Sequence, residues 1–316
     1  MMTAIHALQL ENTVEVSQVS HRLMIGVQWI DALTQLPAGG NLVSDLQKIG
    51  SRVCPLRFDL HPQSRHAIRY TRYLGKLLTL AAEDKADAEA ALLPLPLPVA
   101  DDPTNFALQT YLRRDVRETG YSTANDPRHY VPRRLSLTPV QTDGVPPGST
   151  ANIRKAWLWP GAAYPLSANT TAIRGCIRKG ATLTSAKTIP WARIIVTLPA
   201  NPAAPADLAT EPKVGWGHGD DRGEFLAVLG AEAIPGGTIL PSAVSLRIWV
   251  FFLPSAVLDE AAPLESLPLE QAGADAINDV LRGKEIPSAY QQQDPVTITI
   301  KPGEVFVIKD TDLLFS

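Results

Sequence analysis

The stretch of this sequence richest in reactive side chains is GWGHGDDRGEF, residues 215–225. His218 with Asp220 suggests a general base beside a carboxylate, the pairing a hydrolase would use, because imidazole titrates near neutrality. Asp220, Asp221 and Glu224 suggest instead a calcium loop. Calcium takes six to eight oxygens at alternating positions, whereas these three carboxylates include an adjacent pair. A third reading needs no ligand. Gly219 and Gly223 supply positive φ, Asp220 or Asp221 bonds the backbone of a turn, and Phe225 opens an outgoing strand. That reading accounts for most of the residues. Gly219, Asp220, Gly223 and Phe225 are therefore expected to form the turn of a fold-defining hairpin. Such a turn should face water, a poor setting for acid–base chemistry at His218.

Other reactive types are scattered. AWLWPGAAYP places Trp157, Trp159 and Tyr164 close together, a spacing that suits either a carbohydrate-binding surface or a plug for the open end of a β-sandwich. His61 and His66 in HPQSRH lack the Cys or carboxylate partners of a zinc site and read as surface histidines. Cys54 and Cys176 are far apart and in no metal or redox spacing, as expected of buried free thiols. No G-x-S-x-G elbow, P-loop or H-E-x-x-H occurs. Gly215, Gly217 and Gly219 do not make a dinucleotide fingerprint, because a strand pattern follows where a helix should. The expectation is no catalytic residue, no metal and no cofactor, hence not an enzyme.

The elements around these residues read as strands. Alternation with a period of two marks VEVSQVS (14–20), LMIGVQ (23–28), CPLRFDL (54–60), HAIRYTRYL (66–74), TNFALQTYL (104–112) and RRLSLTPV (133–140). It continues through TAIRGCIRK (171–179), WARIIVTL (191–198), a segment around 214–217, EFLAVLG (224–230) and VSLRIWVFFLP (244–254). Proline at 27 residues and glycine at 21 punctuate the chain too often for long helices. The expected fold is mainly β: two antiparallel β-sandwich domains of transthyretin or immunoglobulin type, spanning 21–145 and 150–258. An arm precedes them at 1–20, and a short helical, proline-rich insertion lies at 79–103. LPLEQAGADAINDVLRG predicts a helix within a linker, 259–294, with Pro268 in its first turn and Gly283 just past its end. PVTITIKPGEVFVIKD predicts a C-terminal hairpin within 295–316, peripheral to the central domain.

Composition narrows the function classes. Lys+Arg 29 against Asp+Glu 32 gives a net charge of −3, without the positive excess that nucleic-acid binding needs. The basic group Arg113, Arg114, Arg117, Arg128, Arg133 and Arg134 reads as a solvated strand face. No signal peptide is recognisable, and no stretch reaches the roughly 20 apolar residues of a membrane span. A cytoplasmic or particle-associated protein is expected.

Residues 171–230 resemble the carboxypeptidase regulatory-like domain, a small transthyretin-like β-sandwich. Ile173-Arg174-Gly175-Cys176-Ile177 matches that family's first strand. Ile189-Pro190-Trp191-Ala192-Arg193-Ile194 matches its second element with the order shifted by one, and Asp220, Gly223 and Phe225 match its third. The resemblance covers about 60 residues of the 316. It implies a non-catalytic module of a larger assembly, since no zinc-peptidase H-x-x-E motif accompanies it. HGDDRGEF together with WARI is also similar to bacterial proteins that accompany phage-tail-like contractile systems. These likenesses imply a structural or adaptor protein whose partners are other protein subunits, bound by strand addition at sheet edges. A carbohydrate-binding module is the alternative, and a His218–Asp220 hydrolase a more distant one.

Overall fold

A computed structural model of the chain describes residues 23–46, 59–69, 106–114, 120–137, 153–233, 242–255, 258–272 and 278–316. The arm at 1–20, the insertion at 79–103, the junction of the two expected domains between 145 and 150, and Cys54 lie outside the described residues.

The protein is mainly β, as its alternating, proline-punctuated sequence requires. Its first half builds two four-stranded sheets. One has the order β3 (Asp59–His61), β4 (Arg65–Arg69), β1 (Leu23–Asp31), β7 (Ile153–Leu158). The other runs β15 (Leu269–Ala272), β6 (Arg133–Leu137), β5 (Phe106–Arg113), β2 (Asn41–Leu46). They pack face to face. Trp29 on β1 is fully buried, and its indole N–H donates to Ser44 Oγ on β2 at 3.0 Å. Ser44 in turn shares a 2.9 Å hydrogen bond with Thr110 on β5.

The outermost strands of these two sheets come from later in the chain. β7 pairs parallel with β1, and β15 pairs parallel with β6. This differs from the expected linker helix. Leu269–Ala272 is a strand, and residues 278–284 form tight turns that end at Gly283, whose φ is +66°. The Leu, Gln and Ala of this stretch favour a helix intrinsically. Pairing with β6 outweighs that preference, since helix propensity is a weak prior against tertiary contacts.

The second half folds around one large sheet. Its order is β16 (Gln291–Gln292), β14 (Val244–Phe252), β11 (Arg193–Thr197), β12 (Lys213–His218), β13 (Glu224–Leu229), β8 (Ala172–Cys176), β18 (Val305–Val307). β17 (Val296–Ile300) lies beside β16 on β14. A small sheet of β10 (Lys187–Thr188), β9 (Arg178–Lys179) and β19 (Leu314–Phe315) continues from β8. The expected C-terminal hairpin is not formed. β17 pairs antiparallel with β14 at one margin of the sheet, and β18 pairs parallel with β8 at the other. Only residues 301–304 separate them, so the sheet is curled until its two margins lie within one turn of each other. Its inner face holds the main core, to which Ile194, Val196, Phe225, Ile248, Ile298 and Leu313 contribute.

β14 shows why this sheet is apolar on both sides. Leu246, Ile248, Val250 and Phe252 face the main core. Trp249 and Phe251 face outward with Ile195 and are covered by Leu208, Ile286 and Tyr290. Protein thus covers both faces of this sheet.

Candidate functional site

The glycine-rich stretch does form the β12–β13 hairpin. Gly215 pairs with Leu229, Trp216 with Val228, and Gly219 bridges to Phe225. Its spacing follows from the two faces of β12. Gly215 lies opposite Val196 and Gly217 opposite Ile194, on the crowded inner face. A Cβ at Gly215 would meet Leu229 Cδ2 at 2.7 Å, and one at Gly217 would meet the Leu226 carbonyl at 3.1 Å. Trp216 and His218 alternate with them on the outer face. Gly223 has φ +75°, and a side chain there would also strike the carbonyls of Ile177 and Ile189.

The turn is not exposed, which corrects the expectation from sequence. His218 and Asp220 are each 1% exposed and Asp221 is 2% exposed. Residues 121–128 from the first half cover it. Asp221 Oδ2 accepts the Tyr121 hydroxyl at 2.9 Å and the Thr123 hydroxyl at 2.5 Å. Asp220 Oδ1 accepts the backbone N–H groups of Arg222 and Glu224, each at 2.9 Å, as an aspartate does in a tight turn. Arg128 forms an ion pair with Glu224 and lies 3.7 Å from Asp220 Oδ2, while Arg222 donates to the Thr123 carbonyl. Burial, reinforced by Asp221, pushes the Asp220 carboxyl up to about 7. Burial likewise raises Asp126 to about 6.

His218 is held as a neutral ring. Burial and the nearby Arg193 and Arg133 guanidiniums keep its pKa well below the usual imidazole range. Its Nε2 lies 2.7 Å from the Gly283 carbonyl, which accepts and therefore fixes the proton on Nε2. The ring stacks on Trp159 at 5.6 Å between centroids, with 29° between planes. A base here would have to act through Nδ1, which is buried and has no hydrogen-bond partner.

Beside His218 lies a buried ion triad that sequence reasoning missed. Glu270 on β15 accepts from Arg133 on β6 at 3.2 and 2.6 Å, and from Arg193 on β11 at 3.0 Å. Arg133 also donates to the carbonyls of Trp157, Val280 and Leu281. It is fully buried, so the reading of this basic group as a solvated face fails at Arg133. The missed signal lay in the pattern. Arg193 opens a strand, RIIVT, whose other residues are largely apolar, where an arginine must find a buried partner; RRLSL, the strand that Arg133 opens, carries no such signal.

The aromatic residues 157–164 pack inward. Trp159 is 4% exposed and donates its indole N–H to the Arg282 carbonyl at 2.8 Å. Trp157 is half-buried and tilted 55° from Trp159, with the Arg282 and Lys284 cations over its ring. Tyr164 donates to Asp31 Oδ2 at 2.6 Å. The three rings share no plane and form no common platform.

His61 and His66 differ from each other. His61 is exposed, whereas His66 is buried on β4, and burial lowers its pKa to about 4. Cys176 is a free, half-buried thiol whose sulfur contacts the Arg222 carbonyl at 3.6 Å. Among the described residues no group of three His, Cys, Asp or Glu side chains is placed to hold a metal ion, and no helix is long and apolar enough to cross a membrane. No family model, curated protein or solved structure matches the chain.

Proposed function

We propose that this protein is a non-enzymatic structural or adaptor subunit that joins other protein subunits by strand addition at a sheet margin. The observation carrying this reading is the geometry of β18. The Ala172 amide donates to the Glu304 carbonyl at 3.2 Å and the Ile308 amide to the Arg174 carbonyl at 2.8 Å. Residues 304, 306 and 308 therefore turn their backbone groups toward β8, and Val305 and Val307 turn theirs away. Val305 is 42% and Val307 67% exposed, two β-branched side chains beside an outward row of amide and carbonyl groups. A partner strand laid there gains main-chain hydrogen bonds and two apolar contacts.

The buried candidates fit the same reading. His218 is committed to the Gly283 carbonyl, Trp159 to the Arg282 carbonyl, and Arg133 to Glu270, which also holds Arg193 of the large sheet. A phage-tail-like contractile particle as the assembly rests on the likeness of HGDDRGEF with WARI. The test replaces both valines with lysine, a residue that natural edge strands use to block pairing. The Val305→Lys/Val307→Lys protein should keep its thermal midpoint and lose incorporation into the high-mass fraction of its native host. Unchanged incorporation with an unchanged midpoint would refute strand addition at this margin.

A further inference from the structure

The contact between residues 121–128 and the β12–β13 turn holds more negative than positive charge. Four carboxylates, on Asp126, Asp220, Asp221 and Glu224, meet two guanidiniums, on Arg128 and Arg222. Arg128 is paired with the half-exposed Glu224, and Arg222 is directed to the Thr123 carbonyl. Among the described residues this leaves Asp126 and Asp221 without an ion pair and Asp220 with only a 3.7 Å contact to Arg128 Nε, all three no more than 2% exposed.

The hydrogen-bond donors are also too few. The Tyr121 hydroxyl carries one proton, yet two carboxylate oxygens converge on it: Asp221 Oδ2 at 2.9 Å and Asp126 Oδ2 at 3.4 Å. Asp220 uses Oδ1 for two backbone amides, while its Oδ2 is buried with no hydrogen-bond partner and stands 3.7 Å from Arg128 Nε. Three ionised carboxylates in such a contact would repel one another and leave acceptors unsatisfied, each a cost of kilocalories. A bound proton removes one charge and supplies one donor.

We propose that this contact is a proton-dependent latch between the two halves of the molecule. It closes with a proton held on Asp220 or Asp126 and opens when that proton leaves. The groups facing Asp220 are Asp221, Arg128, Arg222, the Tyr121 hydroxyl and the Cys176 thiol; those facing Asp126 are Tyr121, Asp220 and Asp221. Burial raises both carboxyls, Asp220 to about 7 and Asp126 to about 6, from an ordinary 3.8. A group whose pKa is raised in the closed state favours closure most below its ordinary value. That contribution fades as pH rises through the raised one. The latch is therefore tightest near pH 4, loosens as pH rises from about 4 to about 7, and changes little above that. The Glu270 triad and the paired strands β7 and β15 still join the halves when it opens, so the motion is a hinge.

Hydrogen exchange of the full chain at pH 5.5 and pH 8, corrected for the intrinsic exchange rate, tests this. Amides of residues 121–131 and 219–224 should lose about tenfold or more of their protection between the two pH values, while those of β11 and β14 keep theirs. Asp220→Asn and Asp126→Asn copy the protonated carboxyl. Each should raise protection at pH 8 and flatten the dependence. Asp126→Asn leaves the turn's own hydrogen bonds untouched and serves if Asp220→Asn does not fold. Equal protection at both pH values, or a tenfold loss that persists when Asp126 and Asp220 are both replaced by asparagine, would overturn the proposal.

Discussion

Glu270 draws three strands together: β15, which carries it, and β6 and β11, which bring Arg133 and Arg193. One carboxylate opposing two buried guanidiniums has no spare capacity. Removing it strands two charges in a space closed to water, and a buried ion left without its partner costs about 3–5 kcal/mol. Glu270→Ala should lower unfolding stability by about that amount in urea melts. A loss below about 1 kcal/mol would show that water or another acid neutralises the arginines instead. Replacing all three residues with apolar side chains of similar volume is expected to cost far less, because such ion groups recover little more than their desolvation. The triad thus fixes which strands meet more than it adds stability.

The β12–β13 turn brings a backbone requirement and the latch into one element. Gly223→Ala would force a Cβ to within 2.8 Å of one carbonyl and 2.9 Å of another, at φ +75°. The expected loss is about 1–3 kcal/mol, with weakened protection of residues 121–128 as the local sign in hydrogen exchange. An unchanged melting curve would mean that the strand ends yield readily. Strands such as β5, β11, β13 and β14 were legible in the sequence because alternation and turn residues are local signals. The hairpin at 213–229 was legible for the same reason. Partnership was not. The Lys301-Pro302-Gly303 turn looks like a hairpin loop, and Gly303 does adopt a turn φ of +81°, yet the two strands it joins pair with β14 and β8. The burial of His218 and Asp220 was equally hidden. The turn is covered by residues 121–128, about 100 positions earlier, and His218 by Trp159 and Gly283, about 60 positions away on either side; an isolated turn of that composition would face water.

In the whole molecule, the chain interleaves. Each sheet of the first half is finished by a strand from beyond residue 150, and the large sheet is finished by residues 296–307. Ile298, Ile300, Ile308 and Leu313, all in the final stretch, belong to the main core. A chain ending at residue 294 should therefore bind a dye for exposed apolar surface and lose its cooperative melt. A well-folded truncated protein would refute this account of the core. Contacts so remote in sequence also predict slow folding, since the entropy of closing long loops must be met before the contacts form. A consequence for synthesis follows from the curled sheet. While β17 and β18 are still inside the ribosomal tunnel, β14 and β8 stand outside it as two unsatisfied margins of one sheet, each able to pair with another nascent chain. The final residues then act as an intramolecular chaperone, and the interval before they emerge is when this protein most needs a cellular one.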